Sequence, residues 1–122
     1  MNSKGDYFMS TAIVVYQSTP MLGKSILPNG NILGLFKQNK LITKLNQALE
    51  KRNSHWLAVL DDSIADIDVI AQEADAIICV PGLQKQFDIK NFPKEKVFYF
   101  DSLSYHELKL DNVINFLETI QQ

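Results

Sequence analysis

Short apolar runs alternate along this chain with segments of helical periodicity, and this alternation constrains the fold more than any other feature. The runs cover residues 11–17, 55–60, 76–80 and 97–100, and polar or turn-forming residues follow each of them. Runs rich in β-branched and aromatic residues, without regular polar alternation, are typical of strands covered on both faces. The pattern therefore predicts an α/β fold built on a four-stranded parallel sheet.

Helical patterns fill the intervals between the predicted strands. Apolar residues recur at helical spacing in residues 35–52, 63–74 and 110–120, and residues 83–90 predict a shorter helix. Right-handed crossovers place such helices on both faces of the sheet, which gives a three-layer sandwich. Residues 1–10 precede the first strand pattern and are interpreted as a flexible leader. The remaining residues, 11–122, form a single domain of ordinary size.

Composition and charge disfavour several classes of protein. The net charge of -2 argues against a nucleic-acid binder, which normally carries a basic excess. The apolar runs are far shorter than the roughly 20 residues of a membrane-spanning helix, so no membrane insertion is expected. The single cysteine, Cys79, cannot form an intrachain disulfide and is interpreted as a small buried hydrophobe. These features fit a cytoplasmic protein and leave its oligomeric state open.

Ligands of such sheets bind beyond the carboxyl ends of the strands, so the loops at that edge are the candidate site. The loop after the first strand, residues 18–33, is unusually long for a strand-to-helix connection, and a short helical turn is considered at 21–26. Its hydroxyl, amide and lysine groups can hold an anion together with backbone N–H groups. The candidate phosphate- or ligand-binding residues are Gln17, Ser18, Thr19, Gly23, Lys24 and Ser25.

The loops after the other strands supply possible further contributors to the same edge. These residues are Asp61, Gly82, Asp101 and His106. Helix capping by residues 61–63 is favoured over Mg²⁺ binding by the acids at the strand ends, and no metal-ligand spacing occurs in the sequence. A pair of Cys79 with His106 requires the thiol to lie at the mouth of its strand. Because no catalytic constellation is complete, the sequence favours a binding domain over an enzyme and predicts no cofactor.

The tail of the first loop has a partial nucleotide-binding pattern. Gly23, Lys24 and Ser25 match the end of a P-loop, but Ser18 stands where that motif has its first glycine. The phosphate-cradling backbone of a P-loop needs that glycine. Nucleoside-triphosphate binding by a P-loop is therefore disfavoured, while simpler phosphate binding stays open.

Three segments resemble the B component of enzyme II of the sugar phosphotransferase system, of the lactose/cellobiose or galactitol type. Residues 12–16 with the polar loop resemble its first strand and phosphate-cradling loop, residues 74–82 its third strand, and residues 97–110 its last strand. The resemblance implies a flavodoxin-like domain. That family receives phosphate on a cysteine at the end of the first strand, where this chain has Tyr16 or Gln17. It therefore implies a diverged scaffold without phosphocysteine chemistry, used in regulation or binding.

These observations lead to one function hypothesis and leave alternatives open. We expect the loop after the first strand to bind a phosphate-bearing group, either a phosphorylated small molecule or part of a partner protein. One alternative is an active phosphocarrier modified on Ser18 or Thr19. Another is an FMN- or nucleotide-binding protein similar to flavodoxins, because residues 17–19 are similar to their phosphate-binding loop. A third alternative is a pure protein-interaction module.

Overall fold

The computed structural model describes residues 9–16, 28–61, 63, 65–83 and 87–120, with the side chains of the long helix from residue 39 onward. The strands within these ranges are β1 (Ser10–Val15), β2 (Trp56–Leu60), β3 (Ala76–Cys79) and β4 (Val97–Tyr99). The helices are α1 (Pro28–Lys51), α2 (Ile67–Glu73), α3 (Ser102–Glu107) and α4 (Asp111–Thr119). A 3₁₀ turn, Lys94–Lys96, precedes β4.

The four strands form one parallel sheet in the order β2-β1-β3-β4, which confirms the predicted α/β, flavodoxin-like architecture. In this register Ala12 of β1 lies opposite Ala58 on one side and Ala76 on the other. The connection from β1 leads outward to β2, whereas the connection from β2 returns across β1 to β3. The chain therefore changes direction across the sheet between β1 and β3.

The core lies between the sheet and the apolar stripes of the helices. Leu41, Leu45 and Leu49 of α1 recur every four residues and are buried against it. The rings of Phe98 in β4 and Phe116 in α4 have centroids 5.3 Å apart, which places α4 on the face that Phe98 occupies. Full burial of an aliphatic side chain contributes about 1.5–3 kcal/mol. The helical stripes thus hold the layers together.

The long helix begins earlier than the sequence pattern predicts. α1 starts at Pro28, so residues 28–33, which were assigned to the long loop, belong to the helix. Proline suits the first turn of a helix because its φ angle is already fixed and its missing N–H would have no partner there. Polar residues and a glycine follow it, and they conceal the helical periodicity.

Element boundaries differ from prediction at other points. β1 begins at Ser10, and residues 1–8 of the predicted leader lie outside the described residues. α2 begins at Ile67, rather than at residue 63, because the side chain of Asp66 accepts the N–H of Asp68 and caps the helix. Residues 102–107, predicted as loop, form α3.

The short helix predicted over residues 83–90 is wrong for the residues described there. Leu83 and residues 87–90 lie outside helices, although the N–H of Phe87 donates to the carbonyl of Leu83 at 2.9 Å. Lys90 has a φ of 52°, in the left-handed region that a helix cannot continue through. The apolar pattern here reflects the burial of Leu83 and Phe87, and residues 84–86 of the predicted helix lie outside the described residues.

A single side chain protects the edge of the sheet at β2. Asn46 of α1 donates through Nδ2 to the carbonyl of Ala58 at 2.9 Å and accepts the N–H of Ala58 through Oδ1 at 2.8 Å. A carboxamide carries both a donor and an acceptor, as a peptide group does, so Asn46 replaces the neighbour that an edge strand lacks. The contact fixes α1 against β2 and blocks pairing with another chain at this residue.

We expect Asn46→Ala to lower the free energy of unfolding by about 1–2 kcal/mol, because it leaves two partly buried backbone groups of Ala58 without partners. Urea unfolding followed by the fluorescence of Trp56 measures the change. Gln47→Ala on the exposed side of the same helix is the control and should change stability by less than about 0.5 kcal/mol. Equal losses in the two variants would contradict the assigned role.

Candidate functional site

The candidate site is the carboxyl edge of the sheet between β1 and β3. The N–H of Val80 donates to the carbonyl of Val15 at 3.2 Å, just past the last paired residues of the two strands. Beyond this bond, β1 continues into Tyr16 and the candidate loop, and β3 continues into Pro81 and Gly82. In open parallel sheets the crevice at such a divergence is where ligands bind.

The candidate residues of the first loop lie outside the described residues. These are Gln17, Ser18, Thr19, Gly23, Lys24 and Ser25, and the helical turn considered at 21–26 lies there too. The structure describes the two ends of the connection, Tyr16 and Pro28. Tyr16 is half-buried and packs against the core.

Gly82 forms the turn that leaves β3 at this edge. Its φ of 95° is strained for residues with a side chain, and the preceding proline favours a turn with such a glycine. Among the described residues, and apart from Gly82 itself and its chain neighbours, no atom lies within 4 Å of the position that a Cβ on Gly82 would occupy. The positive φ, rather than a close contact with those residues, therefore favours glycine here.

The carboxylate of Asp61 forms hydrogen bonds within the loop that follows β2. One oxygen accepts from the N–H and hydroxyl of Ser63 at 2.9 and 2.6 Å, and the other accepts the N–H of Ala65 at 2.6 Å. The side chain is buried, and the backbone N–H of Asp61 extends the sheet by donating to Val14. These bonds hold Ala65 at a φ of 59°. The predicted helix capping by residues 61–63 is therefore wrong: Asp61 stabilises the turn, and Asp66 caps α2.

Asp101 and His106 lie at opposite ends of α3. Asp101 is the N-cap, and its Oδ2 accepts the N–H of Ser104 at 3.0 Å. That backbone N–H lowers the pKa of Asp101, which is fully exposed, below its ordinary value. His106 lies in the last turn of α3, where its ring contacts the ring of Tyr105. Asp101 is thus a helix cap, a role that the sequence analysis did not assign to it, and the length of α3 separates it from His106.

The thiol of Cys79 is inaccessible. It lies at the end of β3 with no exposed surface, and burial raises its pKa to about 12. A neutral, buried thiol is a poor nucleophile because the thiolate is the reactive form. This confirms the interpretation of Cys79 as a small buried hydrophobe and rules against its pairing with His106.

Metal binding and membrane insertion receive no support from the part of the chain that the structure describes. Among those residues, no group of three or more His, Cys, Asp or Glu side chains is placed to hold a metal ion. The described helices also include none that is long and apolar enough to cross a membrane.

Sequence reasoning missed a second concave surface, between α1 and α4. It encloses about 690 Å³, and basic residues of α1 line one wall. The sequence signal was the spacing of Lys44 and Lys51, which recur after two helical turns and were interpreted as the solvated side of a helix. The opposite wall of this concave surface includes the turn between α3 and α4. Tertiary packing brings that turn beside α1, so the sequence alone does not reveal the surface.

Comparison with known proteins finds no family model, curated protein or solved structure that matches this chain. The resemblance to phosphotransferase B components therefore stays a prediction.

We expect Gly82→Ala to lower the free energy of unfolding by about 1–2 kcal/mol, since a Cβ disfavours a positive φ even where space is open. Chemical unfolding measures the loss. Gly82→Asn is the control and should lose less, because asparagine tolerates left-handed conformations. A loss that grew with side-chain volume, from alanine to asparagine, would instead indicate a steric clash.

The stabilising contribution of Asp101 should depend on pH. Because the folded-state pKa is lowered from 3.8, the contribution is complete above about pH 5 and declines as the pH falls through the folded-state pKa. We therefore expect the stability difference between wild type and Asp101→Ala to shrink on acidification. Asp101→Asn keeps a cap that does not titrate and provides the control. A wild-type to Asp101→Ala difference that stays constant between neutral and strongly acidic pH would contradict this role.

Proposed function

We propose that this chain is a binding domain that holds a phosphate-bearing group at the carboxyl edge of its sheet, through the loop after β1. The observation that carries the proposal is the strand order β2-β1-β3-β4, which makes β1 and β3 neighbours where the crossovers diverge. The segment that leaves β1 there carries the hydroxyls of Ser18, Thr19 and Ser25 and the ammonium of Lys24.

The charge distribution around this connection favours an anion. Residues 17–27 include one lysine and no acid, and the first turn of α1 also contains no acidic residue. The amino end of a helix carries a partial positive charge and free N–H groups, which favour phosphate or carboxylate nearby. The loop and the start of α1 thus have the same electrostatic preference.

The described residues at this edge support binding better than catalysis. Cys79 is buried and protonated, and the carboxylate of Asp61 is bonded within its own loop. Asp101 and His106 are separated by α3. The buried thiol of Cys79 and the fully bonded carboxylate of Asp61 are therefore not available as the activated nucleophile that covalent phosphate transfer requires.

We further propose that the domain is a diverged relative of phosphotransferase B components with a regulatory role. The four-stranded parallel sheet supports this at the level of architecture, and architecture alone does not establish function. Tyr16 or Gln17 in place of the acceptor cysteine is what distinguishes such a relative from an active carrier.

The proposal is tested by thermal unfolding with increasing phosphate against chloride at constant ionic strength. A ligand that binds the folded state raises the melting temperature, and we expect a rise of a few degrees at saturation. Lys24→Ala and Ser18→Ala should reduce the rise by at least about half, while Lys94→Ala on the 3₁₀ turn should preserve it. No rise in wild type, or the same rise in all four proteins, would contradict phosphate binding by this loop.

Two measurements on the same protein separate the alternatives. After incubation with the phosphorylated carriers of a phosphotransferase system, a gain of one phosphate in mass would replace reversible binding by covalent transfer. Incubation with FMN followed by removal of free flavin leaves a coloured protein if the loop holds that cofactor. We expect neither a gain in mass nor retained flavin.

A further inference from the structure

The groove between α1 and α4 has a charge opposite to that of the whole chain. Its walls include Lys44, Lys51, Arg52 and Lys109, against one acid, Asp111, among the described lining residues. The chain itself has a net charge of -2. The groove, of about 690 Å³, is therefore a local concentration of positive charge on an acidic protein.

Two of these cations have no anionic partner in the described part of the chain. Lys44 and Lys51 form no ion pair there, and they are separated by about two helical turns, or roughly 10 Å, along one wall. Lysine is a compact, strongly hydrated charge on a flexible stem, so both ammonium groups can reach an incoming chain.

The other two cations form weak, exchangeable pairs. Nη1 of Arg52 lies 3.3 Å from Oε1 of Glu118, and Nζ of Lys109 lies 3.1 Å from Oε1 of Glu107. All four side chains are about two-fifths or more exposed. Exposed pairs of this kind contribute little to stability, so carboxylates of a partner can replace Glu118 and Glu107 at small cost.

Aliphatic side chains line the groove between the cations. They are Ala48 of α1, the buried Ile114 of α4, and the half-buried Leu108 and Leu110 from the turn between α3 and α4. Leu108 has a φ of 54° at the end of α3, a position that favours glycine. A leucine kept in this conformation is a local strain, and such residues concentrate at binding surfaces.

We propose that this groove docks an acidic, amphipathic segment of a partner protein. The aliphatic lining accepts its apolar side chains, and the four cations accept its carboxylates, as in the docking of amphipathic helices into grooves. Lys44 and Lys51 are two helical turns apart on one wall, and Lys109 belongs to the opposite wall, so the cations do not converge on one point, which suits several carboxylates better than a single phosphate. The apolar lining and the acidic chain as a whole disfavour nucleic acid. The proposal uses neither the loop after β1 nor the β1–β3 edge.

The test is a fluorescence-anisotropy titration of the full chain. The probe is a fluorescein-labelled peptide in which glutamate and leucine recur at helical spacing, so that leucines occupy one face. We expect saturable binding that weakens with added salt, since the contact depends on charge. Lys44→Glu and Lys51→Glu should each weaken it about tenfold. Lys94→Glu carries the same charge change outside the groove and should preserve it.

Further titrations distinguish an acidic amphipathic peptide from other ligands of the groove. A peptide with glutamine in place of glutamate, an all-glutamate peptide and a single-stranded oligodeoxynucleotide are titrated under the same conditions, with inorganic phosphate as a competitor. Weaker binding of all three probes, and no displacement by phosphate, supports the proposal. Absence of saturable binding overturns it, as do equal losses in all three variants, tighter binding of the oligonucleotide or the all-glutamate peptide, and displacement by phosphate. Circular dichroism verifies that each variant is folded, and the milder Lys44→Gln and Lys51→Gln repeat the test for any variant that is not.

Discussion

Burial of β1 on both faces, between a hydrogen-bonded neighbour on each side, is the constraint on which the rest of the structure depends. Ala12, Val14 and Val15 have no exposed surface. A strand so enclosed needs partners for its backbone groups within the protein, because water cannot supply them. β2 and β3 provide those partners as parallel strands, and parallel pairs require helical crossovers. The divergence of those crossovers at the end of β1 creates the candidate binding edge.

Side chains complete the hydrogen bonding where strands cannot. At the amino end of the sheet, Asp75 bonds Thr11 in both directions: its carboxylate accepts the N–H of Thr11 at 2.9 Å, and its own N–H donates to the carbonyl of Thr11 at 2.8 Å. Asn46 does the same for Ala58 at the β2 edge. Such two-point contacts reinforce the strand register that the hydrophobic pattern also specifies. They stabilise the β1–β3 pair at its amino end and α1 against the β2 edge.

The sequence predicts the sheet well because strands buried on both faces consist of uninterrupted apolar runs. The observed strands begin and end within one or two residues of the predicted ones. It predicts α1 incompletely because the helix begins with proline and polar residues. It misses α3, where Tyr105 is the one buried residue and no apolar stripe can form. The sequence shows that Asp61 and Cys79 lie near the ends of strands. It does not show that Asp61 is hydrogen-bonded within its own loop or that Cys79 is fully buried, because both depend on tertiary contacts. These contacts make the two residues unavailable for catalysis.

The two proposed binding surfaces, the β1–β3 edge and the α1–α4 groove, rest on different structural features. The edge between β1 and β3 follows from topology and from an acid-free connection, whereas the α1–α4 groove follows from packed helices and spaced lysines. Nuclear magnetic resonance of the ¹⁵N-labelled chain during a phosphate titration reports each backbone N–H separately and therefore distinguishes binding at the β1–β3 edge from binding elsewhere. We predict saturable shifts at Tyr16, at Gly82 and in the first turn of α1. Shifts confined to Lys44, Lys51 and Arg52, or no saturable shift, would contradict phosphate binding at that edge.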